Sequence, residues 1–160
     1  MMIAMADIKD AAARSQNMSA IRSKDTKPEL FIRKELFRRG YRYRIAPEYI
    51  PGHPDLFLRK YNLAVFVHGC FWHRHPGCKY AYIPKSHTEF WSKKFTTNQH
   101  RDEEVKDLLN REGIRVIIIW ECAIKQVRKK NADPAALLNK IETLICSHTA
   151  YSEVSLSEDI

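Results

Sequence analysis

Residues 67–78 read Val67-His68-Gly69-Cys70-Phe71-Trp72-His73-Arg74-His75-Pro76-Gly77-Cys78. Three histidines and two cysteines crowded into one short stretch offer metal ligation and proton transfer, with flat apolar groups between them. Zinc favours four thiolate or imidazole ligands in a tetrahedron. Cys70, His75 and Cys78 supply three from one loop, and Pro76 and Gly77 suit the turn that joins the last two. The fourth is expected from Cys122, just past the end of a strand. Cys146, in or near the last helix, is the weaker choice, and its alternative is a small buried hydrophobe. Four protein ligands leave no open position, so such an ion folds the loop rather than catalyses. The competing reading of the cluster is a set of redox or incidental thiols.

Other residues near this stretch can do chemistry of a different kind. Asp55 follows Pro51-Gly52-His53-Pro54, where a carboxylate either binds a divalent cation or caps a turn. His68 follows the next strand and can lie beside Asp55 across a hairpin. His73 is a proton-transfer group, a surface histidine, or a ligand in place of His75. Glu29 has an ordinary structural role open to it, three residues past a capping Thr26. Phe71 and Trp72, flanked by ligands, are either exposed aromatics or core. Arg74 is a candidate phosphate contact.

The elements that must position these groups follow from pattern. Thr26 caps a helix that carries Pro28 in its first turn and Leu30, Ile32, Leu36 and Phe37 as apolar positions, and Gly40 stops it. Residues 41–45 alternate and predict a strand. Residues 55–58 and 63–67 predict two more, joined by a turn into a hairpin that feeds the Cys/His loop. A polar helical pattern covers 86–111, with Phe90, Phe95, Val105, Leu108 and Leu109 turned inward. Residues 114–120 form the strongest strand, apolar enough to be buried on both faces. Asp133-Pro134 opens a last helix through Ile145. The expected fold is α/β, a small mixed sheet flanked by helices. Its expected divisions are an N-terminal arm over 1–24, one domain over 25–150 and a loose tail over 151–160.

Composition narrows the partners. Lysine and arginine outnumber aspartate and glutamate 27 to 19, a net charge of +8. That favours a polyanion, most simply nucleic acid. No apolar run reaches the roughly 20 residues of a membrane helix, and the first ten residues carry charges where an export signal is apolar. Reduced cysteines and a cytoplasmic location are the expectation.

Several of these residues together resemble a family. Asn17-Met18, Pro51-Gly52-His53-Pro54-Asp55, the string from His68 to His73 with His75 and Cys78, Thr88-Glu89-Phe90-Trp91 and Trp120-Glu121-Cys122 look like the Vsr endonucleases of very short patch repair. The resemblance spans about residues 14–146. It implies a restriction-endonuclease-like core with a structural zinc loop. It also implies magnesium-dependent nicking of one DNA strand on the 5′ side of the thymine in a T·G mismatch. By that resemblance Asp55 and the Val67 backbone carbonyl hold magnesium, and His68, His73 and Glu29 complete the active site. Zinc takes Cys70, His75, Cys78 and Cys122. Met18, Phe71, Trp72 and Trp91 fall where the family inserts apolar side chains into the base stack. Phe66-Val67-His68 stands where the wider nuclease superfamily has Glu-x-Lys, and Val67 stands where the best-known member has threonine.

On that reading His73 activates water, oriented by Glu29, and His68 serves the leaving-group side or a magnesium-bound water, with the two histidines interchangeable. The implied partners are double-stranded DNA containing a mismatch and other DNA repair proteins. A monomer is expected, because a single mismatch lacks two-fold symmetry. Two other functions compete. A non-catalytic zinc-stabilised nucleic-acid-binding module explains the charge and aromatics, yet leaves Asp55, His68 and His73 without a role. A same-fold nicking nuclease with a different DNA target explains them all.

Overall fold

The computed structural model describes residues 24–155; the N-terminal arm with Met18 lies outside them. Helix α1, Lys27–Arg38, starts as its sequence dictates. The Thr26 hydroxyl accepts from the Glu29 amide at 3.4 Å. The Glu29 carboxylate reaches back to the Asp25 amide at 3.0 Å, one residue beyond the usual capping-box partner. Gly40, at φ 93°, ends the helix. The Gly40 amide bonds the Phe37 carbonyl at 3.1 Å and the Tyr41 amide bonds that of Leu36 at 3.0 Å, a Schellman pair that satisfies two orphan acceptors.

Four strands make one mixed sheet in the order β1-β2-β3-β4. Strands β1, Leu56–Leu58, and β2, Leu63–His68, form the expected antiparallel hairpin around a single 3₁₀ turn. Helix α2, Thr88–Arg111, then crosses over to β3, Arg115–Trp120, which lies parallel to β2. Two helices follow, α3 at Glu121–Lys129 and α4 at Ala135–Cys146. The chain returns as β4, Tyr151–Val154, parallel to β3.

Period-two alternation sorts the strands into two cores. Ile117 and Ile119 pack with Ile32 and Leu36 of α1, Ile124 of α3 and Leu138, Ile141 and Ile145 of α4. Val116, Ile118 and Trp120 face the other way, onto Ala64, Phe57 and Leu109 of α2. Burial on both faces is what the unbroken apolar run of β3 predicts.

Three expectations give way, and one element was not foreseen. Residues 41–45 do not form a strand: only Arg44 pairs, with Phe57, before the chain turns at Ala46 (φ 42°), whose amide bonds Pro54 instead. Residues 151–154 of the expected loose tail form β4, which completes the sheet and fully buries Val154; residues 156–160 lie outside the described residues. Phe90 and Leu108 are exposed, because α2 buries only Phe95 and Leu109 among its residues. Helix α3 was not foreseen, since Trp120 offers no capping side chain, although Glu121 in its first turn and Arg128 and Lys129 in its last are helix signals.

Candidate active site and metal centre

The sheet brings the chemistry to one edge. Asp55 immediately precedes β1, His68 ends β2 and Trp120 ends β3, with His68 and Trp120 in register. Because β1 runs antiparallel to β2, the start of one lies beside the end of the other. The carboxyl ends of parallel strands are where α/β sheets place their ligands.

Beyond β2 the chain folds into the Cys/His loop. The His75 amide bonds the Cys70 carbonyl at 3.1 Å, the Cys78 amide bonds His75 at 3.3 Å, and Gly77 supplies the left-handed residue between (φ 70°). Cys122 arrives from the first turn of α3, not from a loop as the sequence suggested. The ligand atoms of Cys70, His75, Cys78 and Cys122 all lie within 4.8 Å of one another. Bonds of about 2.3 Å to zinc put neighbouring tetrahedral ligands about 3.8 Å apart, so these residues can hold such an ion with little movement. The Cys122 sulfur is already 3.6 Å from His75 Nδ1. A hydrogen bond with Cys122, together with burial, pushes the Cys70 thiol well above its ordinary pKa. A divalent cation reverses that balance by favouring the thiolate. Cys146 is exposed and takes no part in the group, which contradicts its reading as a buried hydrophobe.

Arg74 closes the same loop. Its guanidinium donates to the carbonyls of Phe71 (3.3 Å), Ala81 (2.7 Å) and Tyr82 (3.0 Å) and lies 4.1 Å from the centre of the Phe95 ring. Three of its five N–H donors are committed to the protein, so Arg74 clamps the loop, whatever its remaining donors contact.

A groove of about 1030 Å³ runs past Glu29, Asp55, Val67, His68 and His73. The Asp55 carboxylate accepts from the Val67 amide at 2.6 Å. Burial raises its pKa to about 6, against the lowering effect of that hydrogen bond; the Glu29 carboxylate raises it further, and Arg33 and His73 pull it down. The imidazoles of His68 and His73 stack, 3.8 Å apart and 8° from parallel. Burial, and then the neighbouring His73, lower the His68 pKa to about 3, so His68 is neutral at working pH.

His73 Nδ1 lies 2.6 Å from Asp102 Oδ2. A carboxylate only accepts, so it selects the tautomer with the proton on Nδ1 and leaves Nε2 as the acceptor. The expected orienting residue, Glu29, is engaged elsewhere. It is 5% exposed and takes Arg33 at 3.2 Å and the Asp25 amide at 3.0 Å. Asp102 was not foreseen because Arg101-Asp102-Glu103-Glu104 reads as the solvated face of a polar helix. His68, His73 and Asp102 come within 4.8 Å of one another. Stacked rings nonetheless keep their lone pairs in parallel planes, which do not converge on one ion.

The aromatic residues form one cluster with Phe71 at its centre. Its ring lies 5.0 Å from Trp72, 5.1 Å from Tyr82 and Phe95, and 5.3 Å from Trp91. Phe71, Trp72 and Trp91 are half-buried, so each is partly core and partly surface. Phe90, assigned inward by the sequence, stands exposed beside Trp91 at 5.2 Å.

Comparison with known proteins completes the picture. The family profile described as DNA mismatch endonuclease Vsr matches residues 6–79. The DNA mismatch endonuclease Vsr of Escherichia coli (strain K12) is 39% identical over 150 residues, 94% of each chain. Type II nicking enzyme V.NmeAIP of Neisseria meningitidis is 46% identical over 76% of this chain and 86% of its own. Type II nicking enzyme V.XorIIP of Xanthomonas oryzae is 39% identical over 77% and 90%. The class is that of strand-nicking DNA endonucleases. Within it, the chain belongs to the Vsr family of DNA mismatch endonucleases.

Proposed function

We propose that this protein nicks one strand of duplex DNA on the 5′ side of the thymine in a T·G mismatch and so opens very short patch repair. The observation that carries the reading is the grouping of Asp55, Val67 and the His68–His73 pair in one groove, in a chain aligned over nearly its whole length with a mismatch endonuclease.

Asp55 and the Val67 carbonyl are the residues that would hold magnesium, and an oxygen-rich set of this kind suits an ion that keeps several waters. When bound, that ion polarises the scissile phosphate and stabilises the leaving oxygen. His73 Nε2 takes the proton of the attacking water as its oxygen bonds to phosphorus and the P–O bond to the 3′ oxygen breaks. Asp102 stabilises the imidazolium that forms, so it takes the orienting role first given to Glu29. His68 is too weak a base to gain a proton beside it. It remains neutral and contributes hydrogen bonds, at the leaving-group side or to a magnesium-bound water, and does not exchange the base's role with His73. Zinc on Cys70, His75, Cys78 and Cys122 holds the loop that presents His73. No described helix is long and apolar enough to cross a membrane. A monomer acting in the cytoplasm fits one asymmetric lesion.

The decisive test is nicking of a panel of duplexes, fully paired and with each mismatch in turn, in magnesium and in EDTA. Nicking confined to T·G duplexes and abolished by EDTA supports the reading. Nicking of paired DNA at the same rate supports instead a nickase of another target. In the same panel, Trp72→Ala is expected to narrow the gap between T·G and paired duplexes. A wedge gains about 1–3 kcal/mol per stacked base, and a mismatch opens more cheaply. Full discrimination in a zinc-replete variant removes Trp72 from the wedge.

The Asp55 pKa gives a magnesium dependence on pH. With the carboxyl at about 6, protons compete with the cation below that value. Half-saturating magnesium is expected to rise about tenfold between pH 7 and pH 5, since the protonated fraction goes from about a tenth to about nine tenths. Titration of nicking with magnesium at both pH values measures it; an unchanged midpoint removes Asp55 as the ligand.

A further inference from the structure

Trp120 stands between the two centres. Its indole stacks on His75, 4.3 Å away and 12° from parallel, and meets the His68 ring edge-on at 5.4 Å. One side chain therefore touches a residue of the metal cluster and a residue of the active site. It is 5% exposed, and its Nε1–H points toward the terminal strand. There it donates to Glu153 Oε2 at 3.1 Å. The other carboxylate oxygen, Oε1, accepts from the Tyr151 hydroxyl. Strand β4 is itself fixed by its ladder to β3, with Ile118 opposite Glu153, and by the buried Val154. Lys106 of α2 lies 3.9 Å over the Tyr151 ring and holds it from the outside.

The torsion that sets a tryptophan ring's rotation has a broad minimum, so the torsion itself does not fix the ring. A hydrogen bond from Nε1 to an anchored acceptor selects one rotation. That rotation fixes the wall against which both His75 and His68 rest. Glu153 also lines the groove that contains Asp55 and His73.

We propose that Glu153, anchored by Tyr151, is a positioning residue for the nuclease site. It sets the Trp120 indole, and through it the placement of His68 relative to the metal-binding loop. The last strand is on this account part of the catalytic support rather than a sheet extension. The proposal rests on the nuclease reading for its effect on rate but not for its effect on structure.

The test uses the full chain and three variants, Glu153→Leu, Glu153→Gln and Tyr151→Phe. Measured for each are zinc content, kcat and KM on a T·G duplex, and the NMR signals of the Trp120 indole N–H and the His68 and His75 rings. Glu153→Leu is expected to move the indole signal and both ring signals, retain zinc, and lower kcat about tenfold with KM within about twofold, the scale of a modest misplacement. Glu153→Gln keeps an acceptor and is expected to restore kcat to within about twofold. Tyr151→Phe is expected to fall between the two. Unchanged ring signals in Glu153→Leu overturn the proposal whatever the activity. Moved signals with wild-type kcat overturn the catalytic part, as does a kcat loss that parallels zinc loss. If Glu153→Leu does not fold, Tyr151→Phe decides, with wild-type signals and kcat counting against the proposal. A wild-type protein inert on every duplex defeats the nuclease reading, while the ring signals still report whether Glu153 holds Trp120.

Discussion

Asp55→Asn is expected to abolish nicking and leave DNA binding within about tenfold. The carboxylate holds magnesium in the proposed reaction, and a metal's stabilisation of developing phosphate charge is worth several kcal/mol. A loss of about 4 kcal/mol is roughly a thousandfold in rate. The fold tolerates the change because the Asn carbonyl can still accept from the Val67 amide. A further consequence follows from the raised pKa. Between the unfolded value of 3.8 and the folded value of about 6 the native state binds more protons, so stability declines as pH rises through this window. Above it the folded chain carries a carboxylate that burial opposes. Replacing it with a neutral amide removes that cost, of order 1–2 kcal/mol given the partly open position. The metal-free variant is therefore expected to melt a few degrees higher than metal-free wild type at pH 8. Gel assays of nicking, binding titrations and thermal melts check the three parts. Near wild-type nicking removes Asp55 from the active site, and a melting point lowered by several degrees shows that its role was structural.

Much of the fold was legible because local signals and tertiary packing agree. Thr26, Pro28 and Gly40 mark the ends of α1 by rules of backbone chemistry alone. The apolar run in β3 marks a strand buried on both faces. The Cys/His spacing, with the place of Cys122 just past β3, pointed to the four residues that the fold gathers into a group able to hold a metal, with Cys146 outside it.

Other features were illegible for identifiable reasons. Residues 41–45 have the alternation of a strand, but alternation does not reveal that Ala46 turns the chain away after one pair. Strand β4 is short, with Tyr151, Ser152 and Glu153 ahead of one buried Val154, so its sequence reads as a tail until β3 supplies the partner. Asp102 sits among charges on a solvated helix, and its partner His73 is 29 residues away. The resemblance put Glu29 at the active site and it does line the groove, but its pairing with Arg33 depends on a helical turn and a burial that only the packed chain creates. Arg74 looked like a phosphate ligand because charge is visible in sequence and three converging carbonyls are not.

Cys122→Ser is expected to release the metal and unfix the whole Cys/His loop, and with it His73. The four ligand atoms come from two separate segments, the loop after β2 and the first turn of α3. Cys122 is the link between them, so losing its thiolate removes the cross-connection as well as one bond. Structural zinc is worth roughly 10–16 kcal/mol in small peptides that fold only around it. Here the sheet has its own core, so a smaller share is at stake. A loss of about 3 kcal/mol corresponds to a fall in melting temperature of roughly 10 °C for a domain of this size. Nicking is expected to fall with it, since the residues from Cys70 to Cys78 carry His73, Phe71 and Trp72. Metal analysis is expected to find about one zinc in the wild type and none in the variant. Cys146→Ser is the control: that thiol is exposed and outside the cluster, so metal content and melting temperature are expected to be unchanged. If Cys122→Ser keeps its zinc, the ion is held by other ligands; if the wild type binds none when purified without chelator, the cluster is not a zinc site. If zinc is lost while nicking persists, the loop is held by the Arg74 clamp and the Phe71 cluster alone, and the ion is not what positions His73.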